Sequence, residues 1–203
     1  MSLSFEKQLP DIHDALTNAK RKDGKNVLVF AAASNDRLLK EHCVSYPAIH
    51  ENRVICVRSS SVANDDRSTF SPHGDARKAN LSAPGEGVKA AYPLRLNKEQ
   101  NERVMEGTSF ATPIAAGIAA LLLDMVNKED IEAFDAIPNW QDLTDQLRET
   151  AGMRSVMKMC MTAQNRPAHD HNLLKPWLLF QSYTYSFIAT RICDALGKKD
   201  EWS

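Results

Sequence analysis

The chain has 203 residues, 43% of them hydrophobic, and its 25 Lys and Arg against 26 Asp and Glu leave a formal net charge of −1. That length suits one ordinary domain with a sizeable core, and the charge balance excludes the strong field that would draw it to nucleic acid or an anionic membrane surface. No apolar stretch approaches the roughly 18–20 residues of a membrane span, and no basic segment followed by an apolar one marks a secretory signal.

In chain order, Met1 to Phe5 reads as a short strand. Leu9, Ile12, Ala15, Leu16 and Ala19 fall at helical spacing, with Gly24 as the expected C-cap beyond them. Val27 to Ala33 is a continuous apolar run after a helix, which predicts a parallel strand buried on both faces. Ser34-Asn35-Asp36 ends it in a loop, and Tyr46-Pro47 marks a further turn. Arg53 to Arg58 is a second strand. Asn64 to Pro84, punctuated by Pro72, Gly74 and Pro84, reads mostly as loop. Val88 to Tyr92 is a short strand, and Thr112 to about Val126 a long apolar helix. Asn139 as N-cap, with Asp142 three residues on, starts another helix running to about Thr150. Tyr183 to Leu196 reads as the final helix. Alternating strands and helices favour an α/β layered architecture. Cys43, Cys56, Cys160 and Cys193 are scattered without metal-type spacing, so free thiols in a reducing, cytoplasmic compartment are expected.

The richest segment is Gly107-Thr108-Ser109-Phe110-Ala111-Thr112-Pro113, followed by Ile114-Ala115-Ala116-Gly117. It delivers a serine to the first turn of the apolar helix. Unpaired backbone N–H groups and the positive end of the helix dipole favour developing negative charge there. Pro113 suits an early helical position, where its missing N–H would have no partner. Taken alone, Gly-Thr-Ser also fits an ordinary N-cap.

The full pattern Gly-Thr-Ser-x-Ala-x-Pro-x-x-Ala-Gly resembles the nucleophile signature of the subtilisin-like serine proteases (subtilases), with Ile114 in place of the usual His after Pro. By this resemblance Ser109 is the nucleophile. Val27 to Asn35 resembles the buried strand ending Ala-Ala-Gly-Asn, whose asparagine donates to the oxyanion. Asn35 is the matching residue. Ala33 and Ser34 lie beside it in the substrate cleft, with Ser34 replacing the usual Gly. Met1-Ser2-Leu3 resembles the strand whose edge pairs with bound peptide, and Ser4 stands where a Gly usually lines the cleft. Ser2, Leu3, Ser4, Ala33 and Ser34 are therefore the expected substrate-binding residues. Added side chains at 4 and 34 would narrow the cleft. Phe70-Ser71, Gly74 and Leu81-Ser82-Ala83-Pro84-Gly85 resemble a further run of the family.

The resemblance implies a three-layer α/β fold with a mostly parallel central sheet, lacking its N-terminal strands. Residues 1–150 would be the C-terminal part of a catalytic domain and 151–203 a helical extension packed on it. It implies a serine endopeptidase acting on peptide or protein substrates, with no metal or other cofactor. Family members can bind calcium, but no acidic cluster identifies a site. The family's Asp and His precede the segment that residues 1–3 resemble, so they are expected from a missing N-terminal portion of the domain. Asp11-Ile12-His13-Asp14 lacks their contexts and reads as a solvated helix face. His73 fits the Phe-Ser…Gly run, His169 and His171 a polar loop, and His42 and His50 carry no partner signal. The chain alone should then be inactive and prone to aggregate through exposed strand edges. The alternative is a truncated or degenerate, non-catalytic peptide-binding module.

Overall fold

Parallel strand pairing organises the chain. The computed structural model describes residues 5, 7–19, 24, 26–36, 44–50, 52–73, 81–92, 101–128, 134, 137–163, 172–181 and 184–197. In chain order the elements are α1 (Pro10–Asn18), β1 (Phe30–Ala32), β2 (Ile55–Ser61), β3 (Leu81–Glu86), β4 (Val88–Ala91), β5 (Glu102–Met105), α2 (Thr108–Val126), α3 (Trp140–Gln146), α4 (Thr150–Met161), β6 (Asn172–Leu173), α5 (Trp177–Phe180) and α6 (Tyr185–Gly197). Four strands form a parallel sheet in the order β1-β2-β3-β6, and β4 and β5 form an antiparallel pair beside it.

Strand alternation divides the sheet residues between two faces. Phe30, Ile55, Val57, Leu81 and Ala83 meet Ala111, Ala115, Ile118, Ala119 and Leu122 of α2 in the main core. Met153, Val156, Met157 and Cys160 of α4, with Ile188 and Ile192 of α6, complete that core. On the opposite face Ala31, Ala48 and Val54 form a smaller cluster, to which α1 contributes Leu16. These are the three layers of the expected α/β class. Each fully buried Leu, Ile or Met contributes about 1.5–3 kcal/mol from area removed from water.

Several sequence expectations need correction. α1 has no buried residue and ends at Asn18, with Ala19 extended; Gly24 has φ +78° but does not cap it. Strand β1 is shorter than the apolar run, and Val27 is 41% exposed. Strand β3 occupies the end of the segment read as loop. α2 starts at Thr108, so Pro113 lies inside it rather than at its first turn. At 19 residues α2 is long and apolar enough, by length and composition, to cross a membrane, yet it packs on β1, β2 and β3 as a core helix. Asn139 is left-handed with no side-chain cap, and α3 stops at Gln146. α4 then begins, with Gly152 pressed against the Gln146 carbonyl so closely that a Cβ would collide with it. Residues 151–203 also supply β6, which extends the sheet beyond β3. The strand expected at Met1 to Phe5 lies mostly outside the described residues; Phe5 itself bridges Tyr46.

Candidate active site

Two chain ends meet at the N-terminus of α2. From the sheet side, the Ala33 N–H donates to the Val57 carbonyl at 3.0 Å, and the chain then turns out through Ser34 and Asn35. From the other side, Gly107 adopts φ +144° and donates its N–H to the Gly85 carbonyl at 2.7 Å. That backbone region is open to glycine and strained for other residues. The contact anchors the helix start to strand β3. Thr108 begins α2, and Ser109 follows it in the first turn, half-buried.

Asn35 ties the two together. Its Oδ1 accepts the Thr108 N–H at 2.8 Å and the Thr108 hydroxyl at 2.9 Å, across 73 residues of sequence. The same hydroxyl lies 3.3 Å from the Ser34 carbonyl. A backbone N–H can only donate, so the atom facing it is the carboxamide oxygen. Nδ2, with its two donor hydrogens, is left for another acceptor and lies near the Gly107 Cα. Asn35 therefore supplies from a distant loop the cap that the helix does not take from its own Gly107, which has no side chain to give. Thr108 was in the sequence signature, but its role as tether was not read from it. Gly85 was legible as punctuation and as the last residue of a run resembling the family, not as the anchor of the helix start.

Ser34 has φ +137°. Its hydroxyl accepts the Asp36 N–H at 3.1 Å, so the side chain is turned back onto its own loop. A non-glycine residue in such a conformation costs about 1–3 kcal/mol. Ser34→Gly is expected to raise stability by about 1 kcal/mol after the lost hydrogen bond and the greater freedom of the unfolded chain. That is about 2–4 °C in Tm for a chain of this size. A lowered Tm in a thermal melt would show that this conformation carries no strain.

Of the remaining expected site residues, Ala33 is fully buried at the end of β1. Ser2, Leu3 and Ser4 lie outside the described residues. Phe5 and Tyr46 exchange backbone hydrogen bonds at 2.9 and 3.1 Å, and Tyr46-Pro47 is cis. Among the described histidines, His13 and His50 stack on each other at 4.8 Å between ring centroids, with His13 Nδ1 and His50 Nε2 buried without a hydrogen-bond partner, and His73 Nε2 lies 3.1 Å from Arg67 Nη2. His42, His169 and His171 lie outside the described residues. Among the described residues no group of three or more His, Cys, Asp or Glu is placed to hold a metal. Burial pushes the Cys160 thiol up to about 11, despite the opposing Arg191 guanidinium, so it is protonated at neutral pH.

Comparison with known proteins places this geometry in context. Residues 1–173 match the model of the Subtilase family (Peptidase S8). Subtilisin-like protease 11 of Trichophyton verrucosum is 33% identical over 111 residues, covering 55% of this chain and 24% of that protein. Thermitase of Thermoactinomyces vulgaris is 34% identical over 98 residues, covering 48% of this chain and 31% of that protein. The chain therefore spans less than a third of the length of either relative. Among solved structures, the self-cleaved protease domain of PatA superposes with a TM-score of 0.59 at 23% identity, covering 95% of this chain and 58% of that one. At that identity the likeness speaks for the fold.

Proposed function

Because this chain belongs to the subtilase family, whose model matches residues 1–173 of its 203, we propose that it carries the nucleophile and oxyanion side of a serine endopeptidase site. Ser109 Oγ attacks the carbonyl carbon of a peptide bond. The oxyanion that forms is met by Asn35 Nδ2–H and by the Ser109 backbone N–H, unused at the helix start. Collapse expels the amine and leaves an acyl-enzyme, which water hydrolyses by the reverse sequence. Serine needs a base to take its proton, and in this reading a histidine oriented by an aspartate comes from a segment outside the 203 residues. Peptides and proteins are the substrates. No metal or cofactor enters the chemistry, and no calcium site is assigned. The free thiols of Cys160 and Cys193 support a reducing, cytoplasmic setting.

The observation that carries this reading is the Asn35–Thr108 tether, which fixes a carboxamide donor beside the residue adjoining Ser109. The engagement of His13, His50 and His73 with other partners favours a second reading, a non-catalytic peptide-binding module. Fluorophosphonate labelling separates the two. The chain alone should label at Ser109 at least about a thousandfold more slowly than an intact subtilase, since a serine without its base loses most of its reactivity. A subtilase N-terminal portion carrying Asp and His, fused ahead of Met1, should restore labelling, and Ser109→Ala should abolish it. A correctly folded fusion that stays unlabelled would leave the non-catalytic reading. Fast labelling of the chain alone, lost in Ser109→Ala, would mean that the base lies within these residues.

A further inference from the structure

The sheet face turned away from α2 carries a charged residue where burial is almost complete. Arg58, in the middle of β2, is 5% exposed. Its register partner on β3 is Ser82, and Ser60 follows it two residues along β2, so all three side chains leave the same face. Ser60 and Ser82 are fully buried. Arg58 Nε, Ser60 Oγ and Ser82 Oγ are each sealed from solvent without a hydrogen-bond partner. On the other side of Arg58 lies the end of β1, where Ala33 donates to Val57. Neighbouring strands are about 4.8 Å apart, which sets Arg58 and Ser82 side by side on this face with Ser60 one step along it.

The chemistry of that group follows from the donors. A guanidinium is not deprotonated in a protein, so the positive charge persists on burial. Leaving the buried Arg58 Nε–H unmatched costs about 1–3 kcal/mol, and each unmatched hydroxyl adds a similar amount. Among the described residues no carboxylate pairs with Arg58. The planar fork of Arg and two flanking hydroxyls offer several donors and a positive charge, the set that recognises a tetrahedral oxyanion. The geometry points to an anion site at Arg58, Ser60 and Ser82 that takes a small inorganic oxyanion, phosphate or sulfate, behind the strand end from which Asn35 projects. It is independent of the protease reading, since none of the three residues belongs to the Ser109 site.

The test is a thermal melt of the full chain in 0–20 mM sodium phosphate or sodium sulfate, with ionic strength held constant by sodium chloride. Wild type should show a rise in Tm that grows with the logarithm of ligand concentration above Kd and reaches about 4 °C at 20 mM, the form mass action gives for a ligand bound only by the folded state. Equilibrium dialysis with labelled phosphate should find one site per chain. Arg58→Leu should remove both effects, and Ser60→Ala/Ser82→Ala should weaken binding at least tenfold. If Arg58→Leu fails to fold, the double serine variant decides alone. A rise that is linear in concentration and equal in all variants is solvent exclusion and overturns the proposal. So does the absence of any rise or binding, which means that water fills the space. Saturation by chloride at the same strength overturns the oxyanion assignment.

Discussion

Gly85→Ala is expected to destabilise the chain by about 3 kcal/mol or more and to displace Ser109 at the same time. A Cβ on Gly85 would lie 2.5 Å from Ser59 Oγ, 2.8 Å from the Gly107 carbonyl oxygen and 3.0 Å from Ala111 Cβ. The serine hydroxyl can rotate, although it is held 2.7 Å from Ser68 Oγ. The Gly107 carbonyl cannot, because it accepts the Phe110 N–H at 2.9 Å, and the Gly107 N–H is bonded to Gly85 itself at 2.7 Å. Relief must come from moving the start of α2 off β3. Overpacking in a tight core costs about 1–3 kcal/mol and more where backbone must shift. About 6–12 °C should therefore be lost from Tm. In the completed domain, fluorophosphonate labelling should fall even at temperatures where circular dichroism reports a folded protein. Unchanged Tm and labelling would mean that Gly85 does not brace the helix start.

Asn35 separates anchoring from catalysis. Asn35→Leu removes the acceptor for two Thr108 donors, one of them a backbone N–H in the first turn of α2. A loss of about 1–2 kcal/mol follows from the missing cap. Asn35→Asp keeps the acceptor for both donors and sets a carboxylate at the positive end of α2, worth about 0.3–1 kcal/mol in its favour. In the proposed mechanism it also removes the Nδ2 donor and puts negative charge where the oxyanion would form. Loss of one oxyanion-hole donor costs about 10²–10³ in kcat, with the subtilisin asparagine as the reference case. In the domain completed by an Asp- and His-bearing segment, Asn35→Asp should thus keep wild-type Tm and lose at least that much kcat. A parallel fall of Tm and kcat in both variants would reduce Asn35 to an anchor.

The residues that made the candidate site readable are those whose backbone conformation and sequence are most constrained. Gly107-Thr108-Ser109 marks a helix start in any context, and the family pattern around it narrows the reading further. The apolar run before Asn35 announced a buried parallel strand because its neighbours on both faces are apolar. Strand β3 escaped notice because Pro84 and Gly85 read as breaks. Pro84 pairs with Ser60 next to a register irregularity at Ser60/Ser61, a setting in which a strand tolerates a missing N–H. Strand β5 was missed because Glu102, Arg103 and Val104 are exposed and carry no alternation. Helix α4 was missed although Arg154, Ser155 and Lys158 fall at helical spacing, because the helix expected to run to about Thr150 ends at Gln146 and a second one begins at Thr150. The Arg58 face was invisible for a different reason. Which strand partners a residue, and whether its charge is answered, depends on contacts far away in sequence.

One consequence lies at the rim of the sheet. Among the described residues strand β1 is terminal in the strand order, and beside it Val27, Leu28, Phe30, Ala116, Ala119 and Leu123 line an apolar groove of about 280 Å³. The same strand delivers Asn35 to Thr108. In the proposed reading, a chain segment that pairs along that rim and stiffens the arm holding the carboxamide is coupled to peptide bound at Ser109. By reciprocity, each should then strengthen the other by an equal factor.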